Sequence, residues 1–122
     1  MLTLIPIGGL ANRLRSIASG VALARDYGQT LHIYWFKDAG LNCRFDDLCL
    51  PLDAPDIRLH EASALDALVY DRPRKRNARL PGMFQRLLFD GRLYEQGPWT
   101  ADAPAFDFGG WMAQHRRTYI SS

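Results

Sequence analysis

Apolar residues dominate the start of the chain, first as a short run and then with a helical period. The run at residues 2–7 leads into the glycine pair Gly8 and Gly9, and residues 13–27 then carry apolar side chains at close to i, i+3, i+4 and i+7 spacing. That period is typical of a helix with one buried face. A second apolar run follows at residues 31–35. We therefore predict strands over about residues 2–7 and 30–35, joined by a helix over about residues 12–27.

The order strand, helix, strand predicts a βαβ unit, in which the two strands pair as parallel neighbours. Both strands are apolar almost throughout, as is usual for strands covered by helices on both faces of a sheet. The expected fold class is therefore α/β with a small parallel sheet. In this arrangement the loop at residues 8–13 lies at the carboxyl edge of the sheet, where open α/β sheets bind ligands.

The rest of the chain alternates short helical and extended patterns, and we treat residues 1–122 as a single domain. The segments predicted to be helical are residues 45–48, 61–70, 83–89 and 111–115. The segments predicted to be strands are residues 57–60, 92–95 and 118–122. Residues 97–110 are predicted to form a loop because they are rich in proline and glycine.

Composition excludes several classes of protein. Apolar residues make up 48% of the chain and aromatic residues 11%, which indicates a folded rather than a disordered protein. The net charge of +2 gives no global field that would favour a nucleic-acid partner. No run approaches the length of a transmembrane segment. Cys43 and Cys49 lack metal-site spacing and are interpreted as reduced thiols, so the cytoplasm is the predicted compartment.

The glycine pair has two interpretations that the local pattern leaves open. A strand, a tight turn and a helix start bring free backbone N–H groups to one place, with Asn12 predicted at the N-cap and Arg13 on the first turn. Such a place suits a phosphate group. The alternative is an ordinary strand-to-helix turn that needs glycine only for its backbone angles.

Three segments in order resemble the amino-terminal part of the fucosyltransferase clan. They are the loop Gly-Gly-Leu-Ala-Asn-Arg-Leu at residues 8–14, the strand ending in Trp35, and the segment Cys-Arg-Phe-Asp-Asp-Leu at residues 43–48. The chain is most similar to bacterial nodulation-type fucosyltransferases and α-1,6-fucosyltransferases, which open with a GG-x-x-NR-L loop, an alanine-rich helix and a C-x-x-F-x-D-L-like segment. The similarity covers roughly residues 2–49.

This resemblance implies a function and a set of site residues. It implies one Rossmann-like, three-layer lobe of a two-lobed GT-B architecture that transfers fucose from GDP-fucose to a glycan acceptor, with no metal and no other cofactor. By the match to the motif, Gly8, Gly9, Asn12 and Arg13 are the expected substrate-binding residues. We further expect Asn12 and Arg13 to point into a solvent-open cleft. No residue is assigned a catalytic role.

The chain also departs from the pattern of that clan. Its second lobe carries a His-x-Arg-x-x-Asp nucleotide signature, which residues 114–119 echo without the right spacing or the acidic residue. A two-lobed enzyme needs about 100–200 residues for each lobe. We therefore expect a fragment that is inactive alone, with an uncovered lobe face that could self-associate. The alternative is a small non-enzymatic α/β module that binds a phosphorylated ligand or a protein partner.

Other polar clusters have competing interpretations. The basic segment from Arg72 to Arg79 is interpreted as a solvated loop. The alternatives are a nuclear-localisation or polyanion-binding patch and an acceptor- or membrane-facing loop. Asp46 and Asp47 are expected to pair with charges at a helix start rather than to bind a metal. His32 is expected to be a packed or edge residue.

Overall fold

The computed structural model describes residues 1–38, 41–49, 54–94 and 106–122. Its strands are β1 (Leu2–Ile5), β2 (Leu31–Trp35), β3 (Ile57–Glu61), β4 (Gly91–Tyr94) and β5 (Thr118–Ser121). Its helices are α1 (Leu10–Asp26), α2 (Ala64–Tyr70), α3 (Leu80–Leu88) and α4 (Phe108–Gln114). Short 3₁₀ turns occupy Phe45–Asp47 and Lys75–Asn77. Within the described residues, no helix is both long and apolar enough to cross a membrane.

The described strands form one five-stranded sheet in the order β3-β2-β1-β5-β4, and all four pairings are parallel. The central strand β1 pairs with β2 on one side and with β5 on the other, so that Leu4 lies opposite both Ile33 and Ile120. The predicted α/β class and the predicted parallel pairing of the first two strands are confirmed.

Helices cover both faces of the sheet, which gives three layers of a small Rossmann-like lobe. On the first face, α1 packs its buried residues Ile17 and Ala24 into a core with the strands. Gly20 belongs to this contact, because a Cβ atom there would lie 2.9 Å from Cδ2 of Leu4. α4 covers the same face, where the hydroxyl of Thr118 lies 3.9 Å from the sulfur of Met112.

The second face carries an aromatic core beneath α2 and α3. Ile5, Phe89 and Tyr119 form its buried centre. The Tyr119 hydroxyl donates to the carbonyl oxygen of Tyr70 at 2.6 Å, and burial raises the pKa of Tyr119 above its usual range. The ring of Tyr70 stacks on Tyr34 at 3.9 Å between centroids. These contacts fix the end of α2 over the centre of the sheet.

One buried amide joins three elements of this second face. The side chain of Gln85 on α3 is fully buried, and its Nε2 donates to the carbonyl oxygens of Val69 at 2.9 Å and Asp71 at 2.8 Å. Its Oε1 accepts from the Tyr94 hydroxyl at 2.5 Å. Gln85 therefore satisfies carbonyls at the end of α2 and links them to the edge strand β4.

Several predicted boundaries need correction. α1 begins at Leu10 and its N-cap is Gly9, so the prediction that Asn12 is the N-cap is wrong. α3 begins at Leu80, earlier than the predicted residue 83, since a proline suits the first turn of a helix. α4 begins at Phe108, inside the predicted loop, because the Asp107 side chain accepts from the N–H of Gly110. The predictions for residues 95 and 97–105 lie outside the described residues.

The basic segment differs in part from the predicted solvated loop. Arg72 and Arg74 are half-buried, and Lys75–Asn77 form a 3₁₀ turn. The Asn77 Oδ1 accepts from the N–H groups of Arg74 at 2.8 Å and Arg79 at 3.1 Å, which holds this turn against the start of α3. Lys75, Arg76 and Arg79 are exposed, as predicted.

Replacing Gln85 with Leu should destabilise the protein. The substitution leaves two carbonyl groups and one tyrosine hydroxyl without their partner, and unsatisfied buried polar groups cost about 1–3 kcal/mol each. We expect the free energy of unfolding to fall by about 2–4 kcal/mol, measured by urea denaturation. The neighbouring variant Arg86→Ala, at an exposed position, is the control and should change stability by no more than about 0.5 kcal/mol. Equal stability of the two variants would contradict this role for Gln85.

A pair of histidines should make stability depend on pH. Nδ1 of His32 lies 3.3 Å from Nε2 of His60, and their rings are stacked. Burial, and then the charges of His60 and Arg58, lower the pKa of His32. In the unfolded chain a histidine has a pKa of about 6.5. Below that pH the unfolded chain therefore binds more protons than the folded chain does, and the protein loses stability as the pH falls. Urea midpoints should fall further for the wild type than for His32→Gln between about pH 8 and about pH 5.5; parallel profiles would contradict this.

Candidate ligand-binding site

The loop between β1 and α1 exposes its backbone at the carboxyl edge of the sheet. Gly8 has φ +80°, a backbone conformation that residues with a side chain rarely adopt. Gly9 is extended, with φ −74° and ψ 171°. Both glycines are exposed. A Cβ atom added at Gly9 would meet nothing within 4 Å, so the backbone here faces open space.

The N-terminus of α1 offers hydrogen-bond donors to that space. The first intrahelical donor is the N–H of Arg13, which bonds to the carbonyl oxygen of Gly9 at 3.0 Å. The N–H groups of Leu10, Ala11 and Asn12 precede it and have no acceptor inside the helix. No side chain caps this end of the 17-residue helix. Such a terminus carries a partial positive charge and suits an anionic group.

Asn12 supports this loop from within. Its side chain is half-buried, and its Nδ2 donates to the carbonyl oxygen of Ile7 at 3.0 Å. The same side chain is what a Cβ atom at Gly8 would first meet, at 3.5 Å. The amide therefore fixes the end of the first strand against the first turn of α1, which is a different task from the N-cap that the sequence predicts.

Arg13 does not point into a solvent-open cleft, and that prediction is wrong. The residue is fully buried. Its Nε donates to the carbonyl oxygen of Gly8 at 2.8 Å, and its two terminal nitrogens donate to the carbonyl oxygen of Phe36 at 2.6 Å and to Oδ1 of Asp38 at 2.9 Å. Its guanidinium carbon lies 4.7 Å from the centre of the Trp35 ring, within the range of a cation–π contact.

Arg13 and Trp35 join the three segments on which the family resemblance rests. Arg13 bonds the loop after β1 to the residues after β2, as given above. The indole N–H of Trp35 donates to the carbonyl oxygen of Cys43 at 2.8 Å, and its ring meets Phe45 edge-on at 5.3 Å. The motif positions thus form one contiguous structural unit behind the exposed loop, and Arg13 acts as a positioning residue within it.

An open groove of about 760 Å³ begins beside Asn12 and follows α1 across the first face of the sheet. Its polar lining residues from α1 include Arg15 and Asp26, which are charged, and Ser16 and Ser19, which carry hydroxyls. Its remaining lining residues are Leu4, Gly20, Ala22, Leu23, Phe108, Ile120 and Ser122. The lining of the groove thus combines apolar side chains with hydroxyl groups, as is usual for small-molecule sites.

This groove was not predicted from the sequence. Ser16 and Ser19 are three residues apart and Asn12 lies one turn before Ser16, so the three share one side of α1. This polar stripe beside the apolar face of α1 is the sequence feature from which a groove could have been predicted. What the sequence could not show is that α4 and β5 fold against the same side, where the Oγ atoms of Ser16 and Ser122 lie 3.5 Å apart.

The other singled-out residues have structural partners. The Asp47 carboxylate accepts from the N–H of Arg44 at 3.2 Å, and Asp46 lies 3.7 Å from the Arg44 guanidinium, as the charge-pairing interpretation predicts. His32 packs on His60 at the sheet surface. Among the described residues, no group of three or more His, Cys, Asp or Glu side chains could hold a metal ion.

Comparison of the chain with known protein families, with curated proteins and with solved structures gave no match. A relation to the fucosyltransferase clan is therefore a proposal that rests on the loop at residues 8–14, on Trp35 and on the segment at residues 43–48.

Arg13→Ala should lower stability strongly. Because the guanidinium is buried and bonds to two carbonyl oxygens and a carboxylate, its removal should cost about 3–5 kcal/mol of unfolding free energy. Arg13→Lys keeps the charge but cannot reach all three acceptors, so it should fall between the wild type and Arg13→Ala. Arg15→Ala, at an exposed position two residues away, is the matched control and should change stability by at most about 0.5 kcal/mol. A stable Arg13→Ala protein would contradict the positioning role.

Proposed function

We propose that this chain is one lobe of a GT-B glycosyltransferase that binds a sugar nucleotide at residues 8–12 and in the adjoining groove. The observation that carries the proposal is the exposed, uncapped N-terminus of α1 at the carboxyl edge of a parallel sheet. The resemblance to the fucosyltransferase clan supplies the chemistry: GDP-fucose is the proposed donor and a glycan is the proposed acceptor.

The chemistry of the loop suits a diphosphate. Negative charge develops on the leaving diphosphate as the glycosidic bond breaks, and preorganised N–H donors stabilise such charge. The N–H groups of Leu10, Ala11 and Asn12 can supply these donors without a metal ion. Arg13 then contributes by holding the loop in place, because its own donors already bond to protein acceptors.

The groove suits the uncharged parts of such a ligand. Its volume of about 760 Å³ lies within the usual range for small-molecule sites. The hydroxyls of Ser16 and Ser19 can bond to sugar hydroxyls, while Phe108 supplies an apolar surface. In a two-lobed enzyme the second lobe supplies the other wall, so we expect weak binding and no transfer by this lobe alone. The cytoplasm is the proposed compartment, from cysteine usage.

A binding module without enzymatic activity is the second candidate. It is favoured by the nature of the loop, whose exposed groups are backbone donors suited to any phosphorylated ligand. The two candidates differ in the ligand they prefer. A glycosyltransferase lobe should respond more strongly to GDP-fucose than to inorganic phosphate, and a phosphate-binding module should not discriminate between them.

Gly9→Leu should block the site without disturbing the fold. The extended backbone at Gly9 accepts any side chain, and the added atoms would project into open space in front of the helix. We expect GDP-fucose to shift the backbone amide NMR signals of residues 9–12 in the wild type and not in Gly9→Leu. Binding should be weak, with a Kd of about 1 mM or more, because a single lobe encloses little of the ligand.

The control for this experiment is Gly28→Asn. Gly28 is an exposed glycine at the other end of α1 with φ +61°, which Asn tolerates. This variant should bind GDP-fucose as the wild type does. Signals that do not move in the wild type, or that move equally in Gly9→Leu, would contradict the proposed site. A fucosylated product formed by this chain alone would contradict the proposal that transfer needs a second lobe.

A further inference from the structure

The helix α3 presents an apolar face to solvent. Its four outward side chains are Leu80, Met83, Phe84 and Leu87, which are 44%, 54%, 39% and 82% exposed. Their spacing of i, i+3, i+4 and i+7 places them in one stripe. Large apolar side chains grouped in this way are uncommon on the surface of monomeric proteins and mark an interaction site.

The orientation of this stripe is fixed by the opposite side of the helix. Pro81, Gly82 and Gln85 are buried against the rest of the lobe, and Gln85 bonds to α2 and β4 as described. The helix cannot rotate to hide its outer face without breaking those bonds. The neighbouring helix α2 adds two more exposed leucines, Leu65 at 76% and Leu68 at 47%.

Basic residues border the stripe. Residues 63–88 contain six of the basic residues and two acidic ones, a net charge of +4 in a chain whose total is +2. Lys75 and Arg76 lie in the exposed turn that leads into α3. Arg79, the N-cap residue of α3, and Arg86, near the other end of the helix, are both exposed.

The two acidic residues of this region are already engaged. Asp71 lies 3.7 Å from the Arg74 guanidinium and 3.9 Å from that of Arg76. Asp66 accepts from the N–H and the hydroxyl of Ser63 at the start of α2. With both carboxylates counted, the region still carries a net charge of +4, so an occupant of the stripe has to combine an apolar interior with negative charge at its border.

We propose that α3 and the turn before it dock this protein on an anionic lipid bilayer, with the helix lying in the plane of the interface. An apolar stripe of this kind sinks to the boundary between headgroups and acyl chains, and basic side chains beside it bond to anionic headgroups. A second copy of the chain would bring two positive borders together. A nucleic acid would pair with the arginines but leave Met83 and Leu87 in water.

Vesicle co-sedimentation of the full chain tests this proposal. The wild type should bind vesicles of phosphatidylcholine containing about one-third phosphatidylserine at least about tenfold more tightly than vesicles of phosphatidylcholine alone. Binding should weaken as salt is added. Each basic residue near an anionic surface contributes about a fivefold gain in binding, so Lys75→Glu/Arg76→Glu should lower the partition coefficient by about 30-fold or more.

The apolar stripe is tested separately by Met83→Ser/Leu87→Ser, which should lower binding by at least about tenfold. The control for apolar exposure is Leu14→Ser, at a residue that is 42% exposed on α1. The control for total charge is Arg58→Glu/Arg116→Glu, two exposed arginines outside the region. Both controls should bind as the wild type does, and circular dichroism should show all variants folded.

Three results would overturn the proposal. Equal binding to neutral and anionic vesicles would remove the role of the basic residues. Unchanged binding by Met83→Ser/Leu87→Ser would show that the protein binds vesicles by electrostatic attraction alone, without insertion of the apolar stripe. A dimer that forms without lipid in sedimentation velocity, and that Leu87→Ser abolishes, would show that a second copy covers the stripe. The proposal does not depend on the proposed function, because the residues that carry it lie in α3 and the turn before it and not in the loop at Gly9.

Discussion

The buried guanidinium of Arg13 is the interaction on which the candidate site depends. A helix N-terminus can offer free N–H groups to a ligand only if something other than a cap holds the preceding loop in place. Arg13 does this from behind, by bonding to the carbonyl oxygen of Gly8 and to acceptors after β2. Burying a cation is costly, and here two carbonyl dipoles, the Asp38 carboxylate and the Trp35 ring offset that cost.

The other side of the same loop is held by the last described strand. β5 inserts between β1 and β4, and the ladder continues past the strand ends, where the N–H of Ile7 donates to the carbonyl oxygen of Ser122 at 2.9 Å. The N–H of Ser122 donates in turn to the carbonyl oxygen of Ile5 at 3.1 Å. The loop thus leaves the sheet from a strand that is paired on both sides, which favours a rigid site.

Local patterns predicted the βαβ start of the fold, because hydrophobic period and glycine position are properties of short segments. They did not predict that β5 lies beside β1, since strand order depends on contacts more than a hundred residues apart. The error over Arg13 has a similar cause. An arginine on the first turn of a helix is usually solvated, and only Trp35, Phe36 and Asp38, brought close by the sheet, make its burial favourable. The turn at Gly8 and Gly9 could be predicted because it follows from the local sequence, whereas their role in binding stays a prediction.

The two faces of the lobe carry different chemistry, and the sheet separates them. The groove beside Ser16 and Ser19 lies on the face covered by α1 and α4, whereas the apolar stripe of α3 and the basic turn before it lie on the opposite face. A lobe docked through α3 would therefore hold its groove away from the bilayer, with the loop at Gly9 at the edge of the sheet between them. In that orientation the groove stays open to water, as binding of the proposed sugar nucleotide requires.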